Sequence, residues 1–203
     1  MRPNKNIIIV GAFHEVVELC EDCGFNIVGI IDNIITGQFL SIPIIGTDSD
    51  AETLFESYSN CQLVISPDLP KVREKLAEMY SKIGYDFATI ISPKANVSKS
   101  AIIGKGSVVQ SGVNVSAATI IGNFVKLNTN ANIMHDNAIG DFTTIAPNSV
   151  LLGYVEVKRA AYIGANSTIL PHLTVGESST IGAGAVVTRS VGNGLIVKGV
   201  PAK

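Results

Sequence analysis

The 203-residue sequence has no tryptophan, and aromatic and charged residues make up only 6% and 16% of it. Because 46% of the residues are hydrophobic, the composition excludes a disordered chain and a protein held on nucleic acid by basic charge. A long apolar run is also missing, since the longest stretch without a charged residue, 106–125, is interrupted by glutamine, asparagines, serines and three glycines. We therefore predict no membrane-spanning helix.

Cysteine is scarce as well. Cys20, Cys23 and Cys61 are an odd number confined to the first third of the chain, which argues against a disulfide framework. Cys20 and Cys23 have CxxC spacing, but they lie on a predicted helix without a second pair, so we expect core thiols. The first residues contain too short an apolar run for a secretion signal, and a cytoplasmic location is expected.

Charge is unevenly distributed along the chain. Residues 1–92 contain 6 Lys and Arg against 13 Asp and Glu, a net charge of −7, whereas residues 93–203 contain 9 against 4, a net charge of +5. This asymmetry has two interpretations: a segregation of solvated charge, or a C-terminal half that handles an anionic ligand.

A six-residue repeat occupies the second half. Every sixth residue is Ile, Val or Leu at sixteen consecutive positions: Val97, Ile103, Val109, Val115, Ile121, Leu127, Ile133, Ile139, Ile145, Leu151, Val157, Ile163, Ile169, Val175, Ile181 and Val187. The residue two positions earlier is mostly small or β-branched, as at Ala95, Ala101 and Ala131. A period of six matches neither a helix nor a continuous strand, so each unit is predicted to be a short strand and a turn with both positions pointing inward.

Three such units close one triangular coil. Successive coils hydrogen-bond at about 4.8 Å, so residues 95–190 would give about five coils in a prism roughly 25 Å tall. The repeat thus predicts a parallel β-helix built on hexapeptides, and a solenoid of another period is the structural alternative.

Apolar runs alternate with amphipathic stretches before the repeat. The pattern predicts strands at Asn6–Val10, Ile27–Ile31, Gln62–Ser66 and Phe87–Ile91, and helices at His14–Cys23, Asp50–Tyr58 and from about Pro70 to Gly84. This alternation is typical of a small Rossmann-like α/β domain. We predict three parts: an α/β domain over 1–92, the β-helix over 93–190 and a C-terminal tail over 191–203.

The domain order, the segment NTNANIMHDNAIGDF and the ending KGVPAK carry a family resemblance. The chain resembles the bacterial sugar acyltransferases of the left-handed β-helix superfamily, which include sialic acid O-acetyltransferases and N-acetyltransferases of nucleotide-linked 4-amino-sugars. The resemblance implies a left-handed helix, a homotrimer with its active sites between neighbouring helices, and acetyl transfer from acetyl-CoA to an amino or hydroxyl group of a sugar or nucleotide-linked sugar.

The resemblance assigns the catalytic residues to one turn. Acyl transfer from a thioester needs a general base near neutral pH, and histidine, with an ordinary pKa of about 6.5, suits this need. His135 matches the family's catalytic histidine, and Asp136 matches the acidic neighbour that orients its imidazole. Asn128, one hexapeptide earlier, matches a family asparagine near the reacting group and is expected to bind the acceptor.

The acetyl-CoA residues follow from the same resemblance. Gly153 would place a backbone amide near the thioester carbonyl as an oxyanion donor, and Thr144 occupies a place where many members have a histidine that helps to bind the thioester. The remaining expected contacts with the donor are Ala165, Gly182, Ala183, Gly184, Lys198 and Pro201.

The acceptor is expected at the first domain, where Gly11, Asp32 and Asn33 occupy the family's substrate-binding places. The family commonly has a loop of the form Gly-x-Gly-Gly-His there, whereas this chain reads GAFHEVV and places a bulky Phe13 in a shortened loop. Close approach of a diphosphate to the backbone depends on glycine, so the shortened loop is expected to bind a diphosphate poorly. This departure argues against a nucleotide-linked acceptor more than against acyl transfer itself.

Two alternatives come from other functional classes. A zinc hydratase on a similar helix needs three converging histidines, and the chain has only His14, His135 and His172, so no metal site is predicted. The second is a binding trimer that has kept the helix and lost activity, an interpretation favoured by the short loop and by Thr144. No nucleic-acid partner is expected.

Overall fold

The computed structural model describes residues 5–203, and its first unit is a six-stranded sheet flanked by helices. Its elements are β1 (Asn6–Val10), α1 (His14–Asp22), β2 (Asn26–Ile31), β3 (Gln38–Phe39), β4 (Ile42–Gly46), α2 (Ala51–Tyr58), β5 (Gln62–Ile65), α3 (Pro70–Ile83) and β6 (Asp86–Phe87). The strand order is β3-β4-β2-β1-β5-β6, and only the β3–β4 pair is antiparallel. Helices cover parallel strands on both faces, which explains the continuous apolar character of β1.

The expected α/β alternation is present, with one division and one addition. The strand predicted over Phe87–Ile91 is two strands, β6 in this sheet and a second one, Ile90–Ile91, in the next unit. The hairpin β3–β4 was not predicted, because its turn places Leu40 and Ser41 at φ 49° and 66°, a conformation that neither residue signals in a sequence. Helix α3 begins with proline in its first turn and ends at Gly84, whose φ of 112° favours glycine. Among residues 5–203, no helix is both long and apolar enough to span a membrane.

The second unit is a three-sided prism of two-residue strands. Face A contains β7 (Ile90–Ile91), β10 (Val108–Val109), β13 (Lys126–Leu127), β16 (Thr144–Ile145), β19 (Tyr162–Ile163), β22 (Thr180–Ile181) and β24 (Ile196–Val197). Face B contains β8 (Asn96–Val97), β11 (Asn114–Val115), β14 (Asn132–Ile133), β17 (Val150–Leu151), β20 (Thr168–Ile169) and β23 (Val186–Val187). Face C contains β9 (Ile102–Ile103), β12 (Ile120–Ile121), β15 (Ala138–Ile139), β18 (Glu156–Val157) and β21 (Thr174–Val175). Every pairing between these strands is parallel and joins residues one coil apart.

The predicted inward positions form the core of the prism. The aliphatic residues from Leu127 to Val187 in the repeat are at most 3% exposed, and the small residues two positions earlier, such as Ala131, are buried with them. The corners turn through a residue at positive φ, for example 59° at Asn130 and 58° at Asp136. We call the corners AB, BC and CA after the faces that they join.

The division of the chain differs in detail from the expected parts. β7 already pairs with β10 in face A, so the prism begins before residue 93. At the other end β24 pairs with β22, and Ala202 packs into the prism core, so residues 191–203 complete the prism and are not a detached tail.

The first unit covers the part of face A from β7 to β16. The outward side chains of Val108, Lys126 and Thr144 are buried there. Arg73 of α3, 1% exposed, donates hydrogen bonds to carbonyls on both sides: Pro67 and Asp68 in the first unit, and Phe124, Phe142 and Thr143 in the prism. Burial lowers the pKa of Arg73 to about 10, partly opposed by Asp68, which leaves the guanidinium charged at neutral pH. The two units are therefore joined by a buried cation that satisfies backbone carbonyls.

Candidate active site

His135 lies at corner BC, two residues after the end of β14. Its Nδ1 is 2.8 Å from an oxygen of the Asp136 carboxylate, and its side chain is 51% exposed. A carboxylate on Nδ1 holds the imidazole in the tautomer whose Nε2 accepts a proton. Nε2 has no hydrogen-bond partner within residues 5–203. The turn therefore presents an oriented, unoccupied proton acceptor on the surface.

Gly153 lies one coil above His135 and leaves room for the imidazole. A Cβ atom placed on Gly153 would be 2.7 Å from Cε1 and 2.9 Å from Nε2 of His135. In the part of the chain that the structure describes, the Gly153 amide donates to no protein acceptor. A free amide beside a proton acceptor is the pair that acyl transfer needs, one for the oxyanion and one for the nucleophile's proton.

The other residues expected to contact the donor gather at corner AB, near the top of the prism. Gly184, at a φ of 68°, donates its amide hydrogen to the Ala165 carbonyl, and a Cβ atom on Gly184 would have no neighbour within 4 Å. Lys198 covers Gly182, so that a Cβ there would be 2.8 Å from the Lys198 Cβ. Ala183, Lys198 and Pro201 are exposed. The structure brings this group together and separates it from His135, which lies at corner BC.

Asp32 connects the glycine turn to the end of β2. One carboxylate oxygen accepts the Ala12 amide at 2.8 Å, and the other accepts the amides of Ile34 and Ile35 at 2.8 and 2.9 Å. Burial raises the pKa of Asp32, but these three amides together outweigh it and the pKa lies below its usual value. The carboxylate therefore remains ionised and shapes the loop.

Asn33 is likewise occupied by neighbours. Its amide nitrogen donates to Asp48 Oδ2 at 2.7 Å, and its oxygen accepts the Asp48 amide at 3.0 Å. The other Asp48 oxygen accepts the Tyr80 hydroxyl at 2.7 Å. Asn33 and Asp48 line a cavity beside the carboxyl ends of β1 and β2, where open α/β sheets bind ligands.

Gly11 lies on a cavity of about 220 Å³ between the two units, which Asp32 and Phe13 also line. Its φ is 87°, and a Cβ atom there would be 2.7 Å from Ser66 Oγ, so only glycine fits this turn. The cavity also has a lysine from face A of the prism, Lys126, on its wall. It therefore lies where the glycine turn meets the prism.

Lys126 is the unexpected member of this cavity, with a side chain that is 1% exposed. Its Nζ donates to the Asp68 carboxylate at 2.8 Å and to the Ser66 carbonyl at 2.5 Å. Asn128 donates to the same Asp68 oxygen at 3.3 Å, while its own Oδ1 is buried without a protein partner among the described residues. Burial lowers the pKa of Lys126, and Asp68 opposes that shift. Asn128 thus contacts Asp68 of the first unit and not the His135 turn of the same chain.

Thr144 does not lie on an open surface. It is fully buried on face A, where its hydroxyl donates to the Asp68 carbonyl at 2.6 Å and accepts from Arg73 at 2.9 Å. The resemblance predicts that Thr144 contacts the acetyl donor. The burial of its side chain corrects this prediction, because Thr144 joins the two units of the chain.

Comparisons with known proteins agree with this geometry. A family model for bacterial transferase hexapeptides (six repeats) matches residues 154–189, and no curated protein sequence matches significantly. GDP-perosamine N-acetyltransferase from Caulobacter crescentus, solved as a histidine-to-alanine variant with CoA and GDP-perosamine, is 30% identical, with a TM-score of 0.93 and coverage of 98% of this chain and 95% of that chain. The acetyltransferase domain of PglB from Neisseria gonorrhoeae with acetyl coenzyme A is 30% identical, with a TM-score of 0.92 and 98% coverage of both chains. WeeI from Acinetobacter baumannii is 28% identical, with a TM-score of 0.89 and coverage of 97% and 98%.

This chain belongs to the bacterial sugar acyltransferases of the left-handed β-helix superfamily. The fold class expected from the resemblance is therefore confirmed, and the protein is an acyltransferase. The family assignment agrees with an imidazole that is oriented at one side and open at the other.

In this acyltransferase, Gly153→Ala is expected to displace the His135 ring while the fold is kept. Gly153 is not in the left-handed region, so the new methyl group costs no backbone strain, and the three atoms nearest to it all belong to the His135 ring. Since a misplacement of about 1 Å can cost 10²-fold in rate, kcat is expected to fall by about tenfold to 10²-fold. Steady-state kinetics and a thermal melt check both parts.

Gly192→Ala is the matched control for that substitution. A Cβ atom at Gly192 would be 3.4 Å from Leu195, an ordinary contact, so kcat should match that of the unsubstituted enzyme. Equal kcat in Gly153→Ala and Gly192→Ala would contradict the placement of the base against Gly153.

Three residues next to these groups were not predicted from the sequence: Lys126, Asp68 and Tyr154, whose ring contacts the His135 ring. The register of the repeat could have pointed to Tyr154, which lies one coil of 18 residues after Asp136. Lys126 and Asp68 gave no comparable signal, because their pairing depends on how the first unit covers face A.

Proposed function

We propose that this acyltransferase is a cytoplasmic homotrimer that transfers the acetyl group of acetyl-CoA to an amino group of a nucleotide-linked sugar. The observation that carries the proposal is the His135 turn, with Asp136 on Nδ1, a free Nε2 and the unpaired Gly153 amide one coil above. The neighbours bound to CoA and GDP-perosamine or to acetyl coenzyme A support the donor and the acceptor class.

In the proposed step, the acceptor nitrogen attacks the thioester carbonyl while its proton passes to Nε2 of His135. The new C–N bond forms as the C–S bond breaks, and the proton then goes to the sulfur of the departing coenzyme A. Asp136 stabilises the imidazolium that forms in between, and the Gly153 amide donates to the carbonyl oxygen as negative charge develops on it.

A trimer would bring the separated residues together. Face B lies between corner AB, with Asn128, Ala165 and Gly182, and corner BC, with His135 and Gly153. If face B turns toward a threefold axis, corner BC of one chain meets corner AB of the next, and each seam contains one complete set. The base of one subunit would then serve donor and acceptor held largely by its neighbour.

An acceptor panel tests the reaction class. Release of free coenzyme A from acetyl-CoA is measured by a thiol reagent with GDP- and UDP-linked amino-sugars, the same nucleotide sugars without the amine, and free sialic acid. We expect release only with the amino-sugars, with the product amide seen by mass spectrometry. Release with sialic acid alone would show O-acetylation, and no release with any acceptor would favour the inactive binding trimer.

A further inference from the structure

We propose that Tyr154 is a positioning residue that holds the His135 imidazole in its reactive orientation. The proposal rests on the proposed function, because it assigns a partner to the base of that reaction. It names a residue for which the resemblance gave no role.

Three rings form a ladder along corner BC. The Tyr154 ring meets the His135 ring edge to face, with centroids 5.4 Å apart and planes at 87°. On its other side Tyr154 is stacked on His172, with centroids 4.9 Å apart and planes at 9°. Both geometries are favoured for aromatic pairs. His172 therefore supports Tyr154, and Tyr154 in turn contacts the base.

The imidazole has few other restraints. Asp136 bonds to one nitrogen, Gly153 leaves space above the ring, and half of the side chain faces solvent. A single hydrogen bond allows the ring to swing about it, whereas a neighbouring ring at 5.4 Å blocks the swing on one side. Removal of Tyr154 should therefore lower the fraction of molecules in which Nε2 points at the acceptor.

Tyr154 has a positive φ at its corner, as Phe124 and Phe142 do at corner CA. Its φ is 60°, a left-handed conformation that disfavours a bulky side chain, and the side chain is 52% exposed. At corner AB, three of the residues that occupy the same place in the turn are asparagines with φ between 56° and 59°: Asn130, Asn148 and Asn166. Asparagine tolerates this conformation better than tyrosine does. The turn therefore does not require the Tyr154 ring, and asparagine suits its backbone conformation.

The decisive variant is Tyr154→Asn, which removes the ring and suits the backbone. We expect kcat to fall by about tenfold to 10²-fold, with little change in the KM values and a melting temperature that is equal or higher. Tyr154→Phe, which keeps the ring, should restore kcat to within about twofold, because the aromatic contact does not need the hydroxyl. Ser178→Asn is the matched control, since Ser178 is exposed at corner CA with a φ of 55°.

A measurement that does not depend on turnover separates this inference from the proposed function. NMR of the histidine rings, assigned with His135→Ala, should show the His135 signals shifted or broadened in Tyr154→Asn and unchanged in Ser178→Asn. An unsubstituted enzyme that acetylates no acceptor would defeat the proposed function while this test still applied. Unchanged His135 signals in Tyr154→Asn, an unchanged kcat, or a fall in the melting temperature that accounts for the lost rate would each overturn the role of Tyr154.

Discussion

Replacing His135 by alanine is expected to lower kcat by about 10²-fold to 10⁴-fold, which is the usual contribution of a general base. The ring is half exposed and lies beside Tyr154 and the Gly153 backbone at the surface, so its removal leaves no core cavity. The melting temperature should therefore stay close to that of the unsubstituted enzyme. Coenzyme A release at saturating acetyl-CoA and acceptor is the measurement.

Asp136→Asn is expected to lower kcat less than His135→Ala does. The amide cannot accept the Nδ1 hydrogen as a carboxylate does and no longer balances the charge on the imidazolium, so kcat should fall while a base remains. The expected order of kcat is the unsubstituted enzyme, then Asp136→Asn, then His135→Ala. Full activity of His135→Ala would remove His135 from the reaction.

Much of the prism could be predicted from the sequence because its structure repeats. A residue such as Ile133 has the same environment as residues six and eighteen positions away, so one hexapeptide predicts which side chains point inward along the whole helix. The same register places Gly153 one coil above His135, and the resemblance supplied their roles. The β3–β4 hairpin escaped prediction because Leu40 and Ser41 adopt positive φ values without a glycine or asparagine to mark the turn.

The interface between the two units could not be predicted by the same reasoning. Lys126 and Thr144 occupy outward positions of face A, and the repeat pattern predicts that side chains at such positions are exposed to solvent. Their burial follows from the docking of α3, where Arg73 satisfies carbonyls from both units. In the absence of that docking, nothing distinguishes Arg73 from an ordinary helix arginine, and Asp68 shows no sign of meeting Lys126.

The distribution of the site over two corners has a consequence for mixed assemblies. His135→Ala damages corner BC, and Ala183→Trp places a bulky ring on the exposed surface of corner AB, where the donor is proposed to lie. If each site uses corner BC of one chain and corner AB of the next, a trimer that contains both variants can have one seam with two intact halves. Around a ring of three chains that includes both variants, one seam of the three is intact, so about one third of the sites are complete.

Co-expression of the two variants with different affinity tags, followed by purification through both tags, measures this directly. The account predicts that each variant alone releases coenzyme A at a small fraction of the normal rate, and that doubly tagged trimers regain about a third of the activity per chain of the unsubstituted enzyme. Doubly tagged assemblies no more active than the average of the two parent variants would contradict a site shared between neighbouring chains with His135 as its base.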